Sequence, residues 1–175
     1  MKQITIIRHG DSSFIKSNDR DWSRPLSQEG KKECIELAEY LSQNEMLPEK
    51  IICSDAKRTI DTSNIILEKT GWNPMSLYLD NNLYQANLEL LCELISNQSD
   101  SIKKIMLIGH NPGISNLCSK LNNSSIYLST GNCFTIKMEN EVWDINGDIK
   151  IISKDIFTNS KTCLLYTSPS PRDRG

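Results

Sequence analysis

Histidine is scarce in this sequence, with two among 175 residues, and aromatic side chains make up only 6%. There is no basic stripe and no run of stacking aromatics, which argues against nucleic acid as a partner. Charge of one sign is lacking too. Twenty Lys and Arg stand against 22 Asp and Glu, a formal net charge of -2, so no whole-surface field draws the chain to polyanions or anionic lipid. Any anion site must therefore be local. No apolar run approaches the ~20 residues of a membrane span, and Ile4 to Ile7 is too short for the core of a signal peptide. These absences lead to the expectation of a cytoplasmic protein with no membrane attachment. The six cysteines, Cys34, Cys53, Cys92, Cys118, Cys133 and Cys163, form no Cys-x-x-Cys pair and have no histidine at metal-ligand spacing. A disulfide framework and a zinc site are both disfavoured, and the thiols read as small buried hydrophobes.

What remains is an ordinary globular composition, 38% hydrophobic and 24% charged. A chain of this length fits one domain and buries roughly two thirds of the surface its unfolded form exposes. The last residues stand apart. CLLYTSPSPRD, Cys163 to Asp173, resembles the translation of a sequencing-library adapter. The expectation is a domain over 1–162 followed by a non-native, disordered tail over 163–175. A natural Ser/Pro tail, the alternative, would also be disordered.

Strand and helix signals alternate along the rest. KQITIIRH is an apolar, β-branched run of the kind covered on both faces of a sheet. After a polar loop, Ser27 can cap a helix whose Cys34, Leu37, Ala38 and Leu41 repeat at helical spacing. KIICS reads as a second strand. The following helix has Asp55 near its positive end, an apolar line through Ile60, Ile66 and Leu67, and Gly71 at its stop. SLYLD predicts a short third strand, and Leu88, Leu91, Cys92 and Ile95 predict the next helix. Ile105 to Ile108, a Gly-His turn and a helix after Pro112 repeat the opening design. NCFTIKMENEVWDIN and DIKIIS alternate well enough for two closing strands, with a joint around Glu139 to Glu141. The expected fold is α/β, a three-layer α/β/α sandwich on a mostly parallel sheet.

Ligands in such folds bind beyond the carboxyl ends of the strands. Arg8 and His9 follow the first strand, Arg58 opens the helix after the second, and His110 follows Ile108, so all four converge on one sheet edge. The cluster suits a phosphoryl group. Two guanidinium forks and helix N-termini can hold its oxygens, while two imidazoles can act as nucleophile and as proton donor or clamp. No metal or other cofactor is called for, since adjacent cations repel a divalent ion and only Asp11 accompanies the histidines. The arginines also penalise an imidazolium, keeping one ring neutral for attack.

Four stretches, RHGD, RPLSQEG, CSDAKRTIDTS and LIGHNPG, stand in this order between Arg8 and Gly113. Their set resembles the histidine phosphatase superfamily, most closely its short SixA-like phosphohistidine phosphatase branch. The resemblance runs from about Ile4 to Leu121 and weakly on to Ile152. It implies a phosphoglycerate-mutase-like fold and a cofactor-free reaction through a phosphohistidine on His9. It further implies that Arg8 and Arg58 clamp the phosphate and that His110 hydrogen-bonds the transferring group.

Other residues near these motifs carry plainer readings. Asp11 reads as a turn or helix cap, Trp22, Arg24 and Pro25 as shaping the loop over the pocket, and Lys57 as a solvated side chain. Larger relatives carry a glutamate acid after the third strand, because an alkoxide leaving group needs a proton. Here DNNLYQANLELL offers amides around Gln85, with Glu89 and Glu93 read as solvated. The expected substrate is phosphohistidine on a protein, such as a phosphorelay domain, and the expected enzyme a monomer. A phosphatase for a small phosphorylated metabolite is the alternative, helped by an acid such as Asp11. A non-catalytic phosphate- or protein-binding module on the same scaffold is more remote, since it would be expected to lose the nucleophile first.

Overall fold

The structure, a computed structural model, describes residues 1–14 and 20–161. The tail expected over 163–175 and Cys163 lie outside them. Six strands form one sheet: β1 (Lys2–Arg8), β2 (Lys50–Ser54), β3 (Leu77–Asp80), β4 (Lys104–Gly109), β5 (Cys133–Met138) and β6 (Ile151–Phe157). Their order is β3-β2-β4-β1-β5-β6. The first four in that order run parallel, while β5 is antiparallel to both β1 and β6. The helices are α1 (Gln28–Gln43), α2 (Lys57–Thr70), α3 (Leu88–Ser96) and α4 (Gly113–Asn122).

Because successive strand residues point to opposite faces, the continuous apolar runs of the central strands feed two cores. Ile4, Ile6, Ile52, Ile105 and Leu107 pack with Leu91, Ile95, Leu117 and Leu121 of α3 and α4. Ile7, Ile51, Cys53, Met106 and Ile108 pack with Leu37, Leu41 and Ile66 of α1 and α2. Each such side chain contributes roughly 1.5–3 kcal/mol when fully buried, so the two-sided sheet is the main source of stability. The result is the three-layer sandwich expected from the alternation. The five described cysteines are buried and free, as their reading as small hydrophobes requires.

Local signals set the ends of the elements. Ser27 caps α1, its hydroxyl accepting from the Gly30 N–H at 2.9 Å. Gly71 ends α2 in the left-handed region at φ 70°, where a side chain is disfavoured. Two expectations need correction. The buried face of α2 is partly polar: Thr59, Thr62 and Ser63 are buried beside Ile66 and Leu67, and Ile60 is only half-buried. Their hydroxyls bond backbone carbonyls within the helix and the β2–α2 turn, which makes them tolerable inside. The joint after β5 is also longer than three residues. No strand forms in 139–150, where Asn140 bonds the carbonyl of Asp148 and the N–H of Lys150. Trp143 and Ile145 drop into the α3/α4 core from this loop, and β6 runs on to Phe157.

Candidate active site

The pairing of β1 with β4 sets Arg8 opposite Gly109, so the next residue of each chain segment is a histidine. His9 and His110 therefore stand side by side, ring centroids 5.1 Å apart and planes inclined at 57°. β2 lies on the other side of β4, and α2 starts just beyond it, which brings Arg58 to the same edge. Gly10 lets the loop after β1 lie against α1. A Cβ there would sit 2.6 Å from the Gly30 carbonyl oxygen and 2.8 Å from Cys34 Sγ. The Gly10 N–H is held by Thr62 Oγ1 at 3.1 Å, and the Asp11 N–H by the buried Glu33 carboxylate at 2.8 Å.

The partners of His9 fix its tautomer. Nδ1 is 2.7 Å from the Gly10 carbonyl oxygen, which can only accept, so the proton is on Nδ1. Nε2 is 3.2 Å from Arg58 Nε, which can only donate, so Nε2 carries the lone pair. Burial lowers the His9 pKa to about 4, and Arg58, Arg8 and Arg24 add to the effect. His110 is lowered to about 3, again first by burial and then by His9 and Arg58. Its Nε2 lies 2.8 Å from Ser54 Oγ, while Nδ1 is buried without a hydrogen-bond partner among the described residues. Both rings are thus neutral at pH 7.

The four residues singled out in the sequence, Arg8, His9, Arg58 and His110, line one cleft of about 350 Å³ together with Asp21 and Arg24. Arg8 donates through Nη1 to the Leu128 carbonyl at 3.0 Å and to the Tyr127 hydroxyl at 3.1 Å. Arg58 donates to Asp21 through both terminal nitrogens, at 2.8 Å to its carbonyl and 3.1 Å to its carboxylate. The Tyr84 hydroxyl bonds the same carboxylate, and the Tyr84 ring stands edge-on to His110 at 5.5 Å.

The plainer readings mostly match their surroundings. Asp11 accepts from the Ser27 hydroxyl at 2.6 Å, bracing the loop that carries His9 to the start of α1. Trp22 bonds Asp55 through its indole N–H at 3.1 Å, and Lys57 pairs with Asp61 at the surface. Glu89 and Glu93 are exposed. Arg24 differs: beyond shaping the loop, it lines the cleft itself. Asp21, Tyr84 and Ser54 were not singled out at all. Ser54 ends β2 inside the CSDAKRTIDTS stretch and could have been found there, whereas Asp21 and Tyr84 are revealed only by contact across the fold.

With this geometry in place, comparison with known proteins is decisive for the family. Residues 4–95 match the model of the histidine phosphatase superfamily, branch 1. The chain belongs to the histidine phosphatase superfamily. An uncharacterized chloroplastic protein of Arabidopsis thaliana is 30% identical over 151 residues, covering 82% of this chain and 69% of that protein. A 2,3-bisphosphoglycerate-dependent phosphoglycerate mutase of Arthrobacter is 34% identical over 77 residues, 42% of this chain but 31% of the mutase. The superfamily fold is reproduced closely in solved structures. A protein assigned as phosphohistidine phosphatase SixA in Agrobacterium tumefaciens superposes with TM-score 0.77 at 18% identity, over 90% of this chain and 98% of that one. The protein histidine phosphatase SixA complexed with tungstate gives 0.72 at 20% identity, over 87% and 95% of the two chains. A mycobacterial glucosyl-3-phosphoglycerate phosphatase gives 0.61 at 14% identity, over 90% and 98%. Such likeness establishes the phosphoglycerate-mutase-like fold.

Proposed function

We propose that this superfamily member is a phosphohistidine phosphatase that acts on a phosphorylated histidine carried by another protein. One observation carries the reading: the cleft gathers three arginines and two neutral histidines but has no carboxyl group ready to donate a proton at pH 7. Asp21 is held ionised, its pKa lowered to about 2 by the hydrogen bond from Tyr84 first and then by Arg58 and Arg24. The Asp11 carboxylate is occupied as an acceptor for Ser27. The adjoining recess, about 400 Å³, is lined by Gln85, Asn87, Asn111 and Asn116 beside His110, amides that cannot serve as acids. A sugar or glycerate alkoxide needs a proton as it leaves. The imidazole of a phosphoramidate departs with less help.

The steps follow from the fixed tautomer. His9 Nε2 attacks phosphorus in line, forming one P–N bond as the bond to the substrate imidazole breaks. The leaving nitrogen keeps the electron pair and takes a proton from water. A second water then attacks the phosphorus on His9, and the P–N bond breaks with its electron pair returning to Nε2. The proton that this water loses neutralises the hydroxide left by the first, so inorganic phosphate and the neutral ring result. Arg8 and Arg58 hold the peripheral oxygens through forked, charge-assisted hydrogen bonds. Burial first, and then neighbouring charge including Arg58 and Arg8, holds the His110 pKa down; an incoming phosphoryl dianion counters the arginines, so a hydrogen bond from the ring strengthens as charge builds. The guanidinium groups meet the phosphoryl charge, and the scheme uses no metal.

A macromolecular substrate is favoured by the rim of the cleft. Phe14 lines the cleft and is 89% exposed, and Tyr127, which accepts from Arg8, is 68% exposed, an aromatic border of the kind enriched where proteins dock. The second reading, a small phosphorylated metabolite, is favoured by the amide-lined recess, which offers polar contacts to a compact ligand. Aryl phosphates of graded leaving-group acidity separate the two. Without an acid, kcat/KM falls steeply as the leaving phenol becomes more basic, and a sugar phosphate is turned over far more slowly than phosphohistidine. A flat dependence, with efficient sugar phosphate hydrolysis, would support the metabolite reading instead.

A further inference from the structure

Two cations of the cleft are engaged by a carboxylate of the same chain. Asp21, in the short turn Asp21–Ser23, pairs with Arg24 Nη2 at 2.5 Å and Arg58 Nη2 at 3.1 Å, and takes the Tyr84 hydroxyl as a third donor. The Arg24 guanidinium lies over the Phe14 ring, 4.3 Å from its centroid. Its Nε is buried with no hydrogen-bond partner among the described residues. Arg24 thus presents a held, largely buried fork to the cleft that Arg8, His9, Arg58 and His110 share.

We propose that Arg24 is a third phosphate-binding residue and that Asp21 is an internal anion which the phosphoryl group of the substrate displaces. A carboxylate and a phosphoryl group offer guanidinium forks the same kind of oxygen acceptors, so they compete for the same donors. The two anions cannot share those donors, because like charges at contact distance repel strongly where water is partly excluded. Exposure decides which group moves. The Asp21 side chain is 51% exposed, whereas those of Arg24 and Arg58 are 15% and 6%. Asp21 can swing into solvent with little change in hydration, while the arginines are held by their surroundings. The phosphoryl group brings more charge and one more oxygen, and it reaches the unpartnered Arg24 Nε as well as the nitrogens that Asp21 releases. In the resting protein the carboxylate keeps neighbouring guanidinium groups from repelling one another. It also sets a threshold that singly charged anions do not pass.

This inference rests on the cleft being the phosphate site, not on which phosphorylated substrate is used, so the test uses tungstate as the probe. Calorimetric binding of tungstate is compared at fixed ionic strength for the wild type, Arg24→Gln, Arg24→Lys and Asp21→Asn, with melting temperatures as the check on folding. The expectation is binding about ten-fold or more weaker in Arg24→Gln, partly recovered in Arg24→Lys, and about ten-fold tighter in Asp21→Asn, the scale of a charge-assisted hydrogen bond. Weaker binding in a folded Asp21→Asn protein would overturn the proposal by showing that the carboxylate orients the arginines rather than competing for them. Wild-type affinity in Arg24→Gln would also overturn it while leaving the phosphatase reading intact. Absence of tungstate binding in both the wild type and Asp21→Asn would overturn the phosphate site itself.

Discussion

At the scale of single residues, the chemistry hangs on two hydrogen bonds to one ring. The Gly10 carbonyl and Arg58 Nε leave His9 with its proton on Nδ1 and its lone pair on Nε2, a tautomer set by partners that each have one role. Burial and the arginines then hold both histidines below their ordinary pKa, at about 4 for His9 and about 3 for His110. The sign is clear: a depressed folded pKa means that each ring stays neutral from pH 8 down to the region of its own pKa. Since the chain has two histidines, a proton NMR titration of the ring C2–H signals reports them without ambiguity. Neither signal should move between pH 8 and pH 5, and His9→Asn should remove the one that begins to shift first on further acidification. A midpoint near 6.5 for either ring would contradict the buried, arginine-flanked site. The gathering of Arg8, His9, Arg58 and His110 in one cleft was legible in the sequence because each stands at a strand end or opens a helix at a readable motif. Asp21 and Tyr84 were not, since Tyr84 meets Asp21 across 63 positions through a contact no periodicity records.

At the scale of elements, the site depends on how closely α1 approaches the loop after β1. A Cβ on Gly30 would lie 2.0 Å from the Asp11 carbonyl oxygen, so only glycine permits this contact. Gly30→Ala should force α1 and the His9 loop apart, losing about 1–3 kcal/mol of stability by urea unfolding, the range of overpacked cores. It should also lower kcat more than the stability loss alone explains. Unchanged stability and rate would show that the loop has room to shift without disturbing His9. The register of these elements was readable from the Ser27 cap and the Cys34 to Leu41 stripe. The segment after β5 was not. Trp143 and Ile145 alternate with polar residues as strand positions do, yet they are plugs that an irregular loop drops into the core. The Trp143 indole N–H bonds the Ile102 carbonyl at 2.9 Å, and the buried Lys2 ammonium lies 5.1 Å from its ring centroid, contacts that local alternation cannot distinguish from pairing.

At the scale of the whole molecule, a nearly neutral chain concentrates positive charge at one sheet edge. The net charge of -2 gives no general attraction for phosphorylated partners, so recognition must come from the cleft and its aromatic border. The fold class was legible because alternating strand and helix signals admit few topologies, and the parallel register then delivers both histidines to one place. The substrate was less so, because it depends on side chains that three loops bring together. The most direct test is phosphate release from a phosphohistidine-bearing protein domain, measured against sugar, glycerate and aryl phosphates for the wild type and His9→Ala. The account predicts release from the phosphohistidine domain well above the other substrates, abolished in a folded His9→Ala protein. Preference for a sugar or glycerate phosphate, or undiminished release by His9→Ala, would contradict it.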